Sequence, residues 1–412
     1  MKSIAVRLWT REGDRFLTRE SGLPEIEIDE LEDAVPNGVV RAVRKTLGAE
    51  VAYLRAFPGG VVETELLTGD FRPPTGFGWR AGELSPPTAR RAAWQRPGWL
   101  RGALADADRA LAWHGIRRRG APEQMRHTGI TGMLRLHTDH EPVWLKAVPD
   151  LFAHEVSVVS RLAGQFPGAV PEPLAEGQGW WLARQFPEER GEPREDPLGI
   201  LADIQIDALG YLSEFASLGC QVRSPEVLAA EITRLAGRDD LLPAPLRREL
   251  RAALPRFRVR CAVLGAGDLP MTLVHGDFHA DNLRWTGDRW FLYDWTDACI
   301  AHPFVDLALP LSYETPAVQA QRLALFVRAW RKVVPDEAVQ RCLRAAPAVG
   351  AAHQAVTYQA ILDDIGGAID RGNEYFALLR KWTGRLLRAL DRSPTAEPVF
   401  EREEAESISP AP

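Results

Sequence analysis

The sequence predicts an α+β protein in three parts: a small α+β domain, a small β-rich lobe and a larger helical lobe. Three observations lead there. Through the first 190 or so residues, apolar side chains alternate with polar ones in short runs, the period of half-buried strands. From about residue 195 to 392 they recur at helical spacing. Between the helices lies Val274–Asp297, V-HGDFHADN-LRWTGDRWFL-YDWTD, where His275, Asp277, His279 and Asp281 alternate with small or apolar residues.

The composition permits sizeable cores and little else of note. The 412 residues are 45% hydrophobic and 26% charged, with a net charge of −6 that gives no reason to expect a nucleic-acid or membrane partner. The opening MKSIAVRLWTREGDRF lacks the apolar core of a signal peptide, and no apolar run spans a membrane, so a cytoplasmic location is expected. Cys220, Cys261, Cys299 and Cys342 are scattered without a C-x-x-C pair, which fits buried free thiols.

In order along the chain, residues 1–95 read as the first domain. Strand patterns occupy Ile4–Trp9, Arg15–Thr18, Val51–Phe57 and Val61–Leu67, with a helix over Val39–Leu47 that Gly48 ends. The stretch Phe71–Pro97, rich in Pro, Gly and Arg, reads as a linker, and residues 96–120 as a connector helix from Trp99 to His114. Residues 121–190 form the β-rich lobe, with strands at Gln124–Thr128, Met133–His137 and Val143–Val148, a helix near Phe152–Leu162 and a strand at Trp180–Phe186. Lys146 stands in the otherwise apolar Val-Trp-Leu-Lys-Ala-Val, where an unpaired ammonium would be costly. Gly129, Thr131 and Gly132 form a turn whose backbone N–H groups suit phosphate, although two glycines are also ordinary in a hairpin. The helical lobe, 191–391, carries helices at Ile200–Leu218, Pro225–Ala236, Pro245–Leu264, Ala317–Val333, Asp336–Ala345, Ala351–Ala368 and Tyr375–Leu390. Residues 392–412, rich in charge and proline, are expected to be disordered.

Within the central stretch, Thr286-Gly287-Asp288-Arg289 between two short apolar runs predicts a hairpin, which returns Asp294 toward Asp277 and Asn282. Two carboxylates and an amide oxygen suit Mg²⁺, with one carboxylate left for acid–base work.

The spacing H-x-D-x-x-x-x-N from His275 through Asp277 to Asn282, with Asp294 after a strand and Asp306 in Phe304-Val-Asp-Leu-Ala, resembles the aminoglycoside phosphotransferase and choline kinase branch of the protein-kinase-like fold. The resemblance covers about residues 121–390. It implies a bilobal protein-kinase-like fold and an ATP-dependent transfer of the γ-phosphate to a hydroxyl of a small molecule. It implies Asp277 as catalytic base, Asn282 and Asp294 as Mg²⁺ ligands, and Lys146 on the phosphates, paired with Glu155. Backbone groups near Gln185 and Phe186 would meet the adenine, and His275 and Asp306 would support the loop. Gly276 stands where regulated protein kinases carry Arg, so a phosphorylation switch is not expected. Asp297 either faces the acceptor or caps the helix that follows. Asp363, Asp370 and Glu374 are candidate acceptor contacts, accounted for equally by a solvated helix end.

In the first domain, RAVRKTLG (residues 41–48) resembles the Nudix box in spacing. Its metal-binding glutamates fall on Ala42, Lys45 and Thr46, which cannot hold Mg²⁺. A Nudix-like fold here would therefore lack hydrolase activity, and an unrelated small α+β domain fits as well. Two other functions are compatible with the chain. One is a metal-dependent hydrolase using His275, Asp277 and His279, which tight stoichiometric Zn²⁺ would reveal. The other is a non-catalytic nucleotide-binding module. Oligomeric state is not legible.

Overall fold

The computed structural model describes residues 2–28, 36–57, 60–84, 91–266, 269–365, 374–393 and 397–402. The chain forms two compact units. Residues up to Asp150, together with Pro173–Phe186, make the first; Leu151–Glu172, with the chain from Pro187 on, make the second.

The first unit holds two sheets. Strands β1 (Lys2–Trp9), β2 (Arg15–Thr18), β3 (Glu25–Ile28), β4 (Val51–Phe57), β5 (Val61–Leu66) and β6 (Gly78–Ala81) form the first, ordered β4-β5-β1-β2-β6 with β3 also on β1. Ile4, Val6 and Leu8 alternate on β1 and pack with Val39, Val43 and Leu47 of helix α1 (Pro36–Leu47). Gly48, at φ +68, ends that helix as its N–H bonds back to Arg44 O. The second sheet, ordered β10-β11-β9-β8-β7, comprises β7 (Glu123–His127), β8 (Gly132–Leu136), β9 (Val143–Ala147), β10 (Pro173–Gly177) and β11 (Trp180–Arg184). Its apolar face (Leu134, Leu136, Val143, Leu145) packs with Leu100, Ala103, Ala107 and Leu111 of α2 (Trp99–Trp113).

The linker expected over residues 71–97 is largely built into the unit. Strand β6 pairs with β2 along Arg15–Thr18. The buried Trp94 donates from Nε1 to Thr128 O at 2.8 Å, and a Cβ on Gly132 would stand 2.9 Å from its indole. Gln124 joins the two sheets: its side-chain amide bonds both the N–H and the C=O of Tyr53, at 2.8 and 3.0 Å.

The second unit is mainly helical: α3 (Glu155–Gln165), α4 (Leu198–Ala208), α5 (Leu212–Ser217), α6 (Pro225–Leu235), α7 (Ala244–Gly265), α8 (Ala308–Ser312), α9 (Pro316–Trp330), α10 (Asp336–Leu343), α11 (Ala346–Ile365) and α12 (Glu374–Asp391). The single helix expected over Ile200–Leu218 is two, broken at Leu209–Tyr211 around Gly210, a poor helix former. Two small sheets sit among the helices. Strands β12 (Gln221–Arg223), β13 (Thr272–Val274) and β16 (Cys299–Ala301) make one, in the order β12-β16-β13; β14 (Leu283–Trp285) and β15 (Trp290–Leu292) make the expected hairpin. Residues 397–402, which composition assigns to a disordered tail, include the buried Phe400. All four cysteines are free and buried. No helix among the described residues is long and apolar enough to cross a membrane.

Candidate active site

Strand β13 delivers the chain to His275 in a fully buried position. The His275 imidazole interacts with Tyr293 O through Nε2 and with the Asp277 N–H through Nδ1, at 3.2 and 3.4 Å. That pattern is the neutral tautomer with the proton on Nε2. Burial agrees, pushing the imidazole down to about 4. The next residue, Gly276, has φ +83, and any Cβ there would stand 2.2 Å from Asp297 O. Only glycine fits that turn.

Asp306 ties the turn from below. Its carboxylate accepts from Gly276 N (2.8 Å), His275 N (2.9 Å) and Gln205 Nε2 (2.9 Å). Burial raises its carboxyl to about 6, against the pull of those donors. From above, the buried Gln354 of α11 donates to Gly276 O at 2.6 Å.

Past the turn the chain makes a 3₁₀ turn at Ala280–Asn282 rather than a strand. Asn282 donates from Nδ2 to Asp277 O at 2.8 Å and to Asp277 Oδ2 at 3.1 Å. Its own amide oxygen accepts no hydrogen bond among the described residues. His279 Nε2 lies 3.3 Å from the same Asp277 Oδ2. Burial works against a charge on His279, but Asp277, Asp281 and Asp294 together lift the imidazole above its ordinary value.

The hairpin closes through Tyr293 N to Asn282 O (3.1 Å) and brings Asp294 back to the loop. Asp294 has φ +64, the one left-handed residue other than glycine among those described. Such strain persists where surrounding structure enforces it. Thr296 Oγ1 bonds Asp294 Oδ1 at 2.9 Å, and Glu155 Oε1 accepts from the adjoining Trp295 N at 3.1 Å. Asp297 follows. Burial, then the nearby charges of Asp277 and Asp294, push its carboxyl well above the ordinary range. Asp277, Asn282, Asp294 and Asp297 thus converge in the second unit.

Other candidates stand apart from that group or act differently. Asp281 points to solvent, 88% exposed, and His275 faces inward. The four alternating residues therefore do not share a face, and among the described residues no three His, Cys, Asp or Glu side chains form a metal cage. Asp363 is paired with Arg238 at 2.7 Å, and Glu374 is exposed at the start of α12; Asp370 lies outside the described residues.

In the first unit, Lys146 is buried on β9, opposite Met133 and Trp181. Trp144, two residues earlier on the same face, stacks on Phe186 at 5.5 Å. Gln185 bonds Phe186 O through Nε2. The Gly129–Gly132 turn uses its donors internally: the Ile130 and Thr131 N–H groups bond Thr128 Oγ1. Gly132 accommodates Trp94, which is reason enough for a glycine there.

Gln205 and Gln354 escaped the sequence reading. Gln354 had one signal, being a polar residue beside His353 in the otherwise small and apolar first half of α11. Gln205 had none, since its partners are about 100 residues away.

The profile of the APH family, described as a phosphotransferase enzyme family, matches residues 134–343. No curated protein sequence matches the chain. Among solved structures, choline kinase LicA from Streptococcus pneumoniae aligns with a TM-score of 0.50 at 12% identity, covering 71% of this chain and 99% of that one. An ethanolamine kinase from Plasmodium vivax gives 0.48 at 8%, covering 66% and 82%. A macrolide 2'-phosphotransferase from Brachybacterium faecium gives 0.46 at 17%, covering 69% and 98%. The likeness to the choline kinase shows the fold, which is protein-kinase-like.

Proposed function

We propose, for a chain that belongs to the phosphotransferase enzyme family and is a small-molecule kinase, that it moves the γ-phosphate of ATP to a hydroxyl of its acceptor with Asp277 as base. One observation carries the reading: Asn282 fastens Asp277 with its amide nitrogen and keeps its amide oxygen without a hydrogen bond among the described residues, beside an Asp294 held in a strained conformation. Hard oxygen donors of this kind fit Mg²⁺. Asn282 Oδ1 and the Asp294 carboxylate would hold it, and bound Mg²⁺ supplies charge neutralisation on the phosphates.

The chain's own part is positioning. Asn282 and His279 bond Asp277 Oδ2, which leaves Oδ1 without a partner among the described residues. That oxygen accepts the acceptor's hydroxyl proton as the hydroxyl oxygen bonds the γ-phosphorus and the bridging P–O bond to ADP breaks. Gly276, Asp306 and Gln354 fix the loop so that Asp277 waits in one orientation. Lys146 is assigned to phosphate charge and the Gln185–Phe186 backbone to the base. Glu155, by its bond to Trp295 N, supports the backbone next to Asp294.

Thermal unfolding with and without Mg²⁺-ATP tests the reading. A ligand at a hundredfold excess over its Kd stabilises the native state by about 2.7 kcal/mol. The shift should appear in wild type, vanish in Asp294→Ala and survive in Asp277→Asn. The last variant should lose about 10²–10⁴-fold in kcat for ADP release with a productive acceptor. No Mg²⁺-dependent shift with ATP would sink the proposal.

A further inference from the structure

The face of the first sheet turned away from α1 carries an imbalance of charge. On β5, Val62 and Leu66 join the core with α1, while Glu63 and Glu65 are also fully buried. Each glutamate has basic partners, but in different proportion. Glu65 takes Gly98 N at 2.7 Å and Arg101 Nη1 at 3.1 Å, one guanidinium to one carboxylate. Glu63 takes three. Arg7 on β1 and Arg55 on β4 stand in register with it on either side, and reach it at 3.3 and 3.0 Å. Arg91 brings Nη2 to 2.8 Å of Glu63 Oε2.

Among the described residues, three cations meet one anion, an excess of two positive charges where the Arg55 and Arg91 side chains are largely shielded from water. The hydrogen bonds tell the same story. Arg7 Nε, Arg55 Nη2 and Trp9 Nε1 are buried without an acceptor among the described residues. Arg91 Nη2 is near Glu63 but not aligned to donate. The Arg91 side chain is only 6% exposed. Burial, together with the charges of Arg55 and Arg96, weakens its hold on its proton despite Glu63. Phe57, 4.2 Å under the Arg55 guanidinium, and Phe16, 5.6 Å from that of Arg7, hold the forks in place. Buried donors without acceptors are rare in native proteins and call for a partner. Guanidinium forks match the paired oxygens of phosphate and carboxylate.

We propose that Arg7, Arg55 and Arg91, arranged around Glu63, form an oxyanion site that takes the phosphate or carboxylate group of a small-molecule ligand. Arg7, 30% exposed, marks the side of entry. The site lies wholly in the first domain and does not depend on the phosphotransfer reading.

Calorimetric titration of the full chain with inorganic phosphate and with succinate, at constant ionic strength in chloride, tests it. Saturable binding of either is expected in wild type. It should persist in Lys146→Met, which removes the other phosphate-directed cation, and weaken about tenfold or more in Arg91→Gln and in Arg7→Gln. Phosphate alone or succinate alone identifies the ligand group, and either supports the site. Arg7→Gln, at a partly exposed position, keeps the test open if Arg91→Gln does not fold; circular dichroism establishes which variants are folded. No saturable binding of either anion, or binding unchanged in a folded Arg7→Gln or Arg91→Gln, overturns the proposal and leaves a purely structural ion-pair cluster. Binding lost in Lys146→Met but kept in the arginine variants overturns it equally.

Discussion

At Gly276 the loop allows no side chain. Its φ of +83 already disfavours any L-residue, and the Asp297 carbonyl fills the place of a Cβ. Gly276→Ala should therefore cost about 2–4 kcal/mol, strain and overlap combined, in urea unfolding. It should lower kcat more than KM, because what moves is Asp277, the proposed base. A variant as stable and active as wild type would show that the loop relaxes freely. From the sequence this glycine carried one expectation, that with no arginine at the position a phosphorylation switch is absent, and no reason for the glycine itself. The structure supplies a local steric reason, which depends on a residue 21 positions later and has no signature in spacing. Asp294 is similar. Its type was legible from the motif, whereas its left-handed backbone was not, because an L-aspartate carries no mark of the strain its neighbours impose.

Among elements, those with several periodic residues were legible. Strands β1, β4 and β5, helices α1 and α2, and the β14–β15 hairpin with Gly287 at φ +100 in its turn all follow from local pattern and turn chemistry. Strands β3, β6, β12 and β16 were not, since three or four residues are too few to show a period and their pairing partners lie elsewhere. The segment at Phe400 makes the same point. Gln319 of α9, itself buried, clamps it with Nε2 to Phe400 O at 2.7 Å and accepts from Phe400 N at 3.3 Å, while Arg388 pairs with Glu401 at 2.8 Å. Charge and proline around Val399-Phe400 hid one aromatic anchor. Phe400→Ala should destabilise the second unit by about 3–5 kcal/mol, the cost of emptying a buried phenylalanine site. Urea unfolding followed by a probe in that unit checks it, and a change under about 1 kcal/mol would mean that the segment merely rests on the surface.

Over the whole molecule, both units bury histidines that resist protonation. Burial pushes His127 and His275 down to about 4 and His302 to about 3, and holds His353 well below its ordinary value. A depressed histidine contributes stability that is present above its unfolded value near 6.5 and is lost as pH falls toward the folded one. His279 has the opposite sign: its raised value favours the fold below 6.5, and that contribution fades as pH rises through its folded value. His302 offers a clean test, because its Nδ1 accepts from Phe304 N at 3.2 Å and an asparagine can keep that cap. Between pH 7 and pH 5 the wild type should lose about 2 kcal/mol more stability than His302→Asn, as measured by urea unfolding at each pH. Equal losses would place the proton elsewhere. By itself the sequence determined the α+β class and, through the resemblance of one short stretch to a phosphotransferase motif, the reaction class, and it predicted that Asp277, Asn282 and Asp294 come together. Those rest on local periods, turn residues and a fixed spacing along one short stretch, all written in neighbouring positions. Only the tertiary structure decided which groups hold that cluster (Asp306, Gln205, Gln354 and Glu155), that Asp281 faces solvent, and that three arginines, from two strands and a loop, meet one glutamate on a third strand. The physical reason is sequence separation: a hydrogen bond or ion pair between residues dozens to a hundred positions apart is created by the packing of whole elements, and no local preference of either residue encodes it.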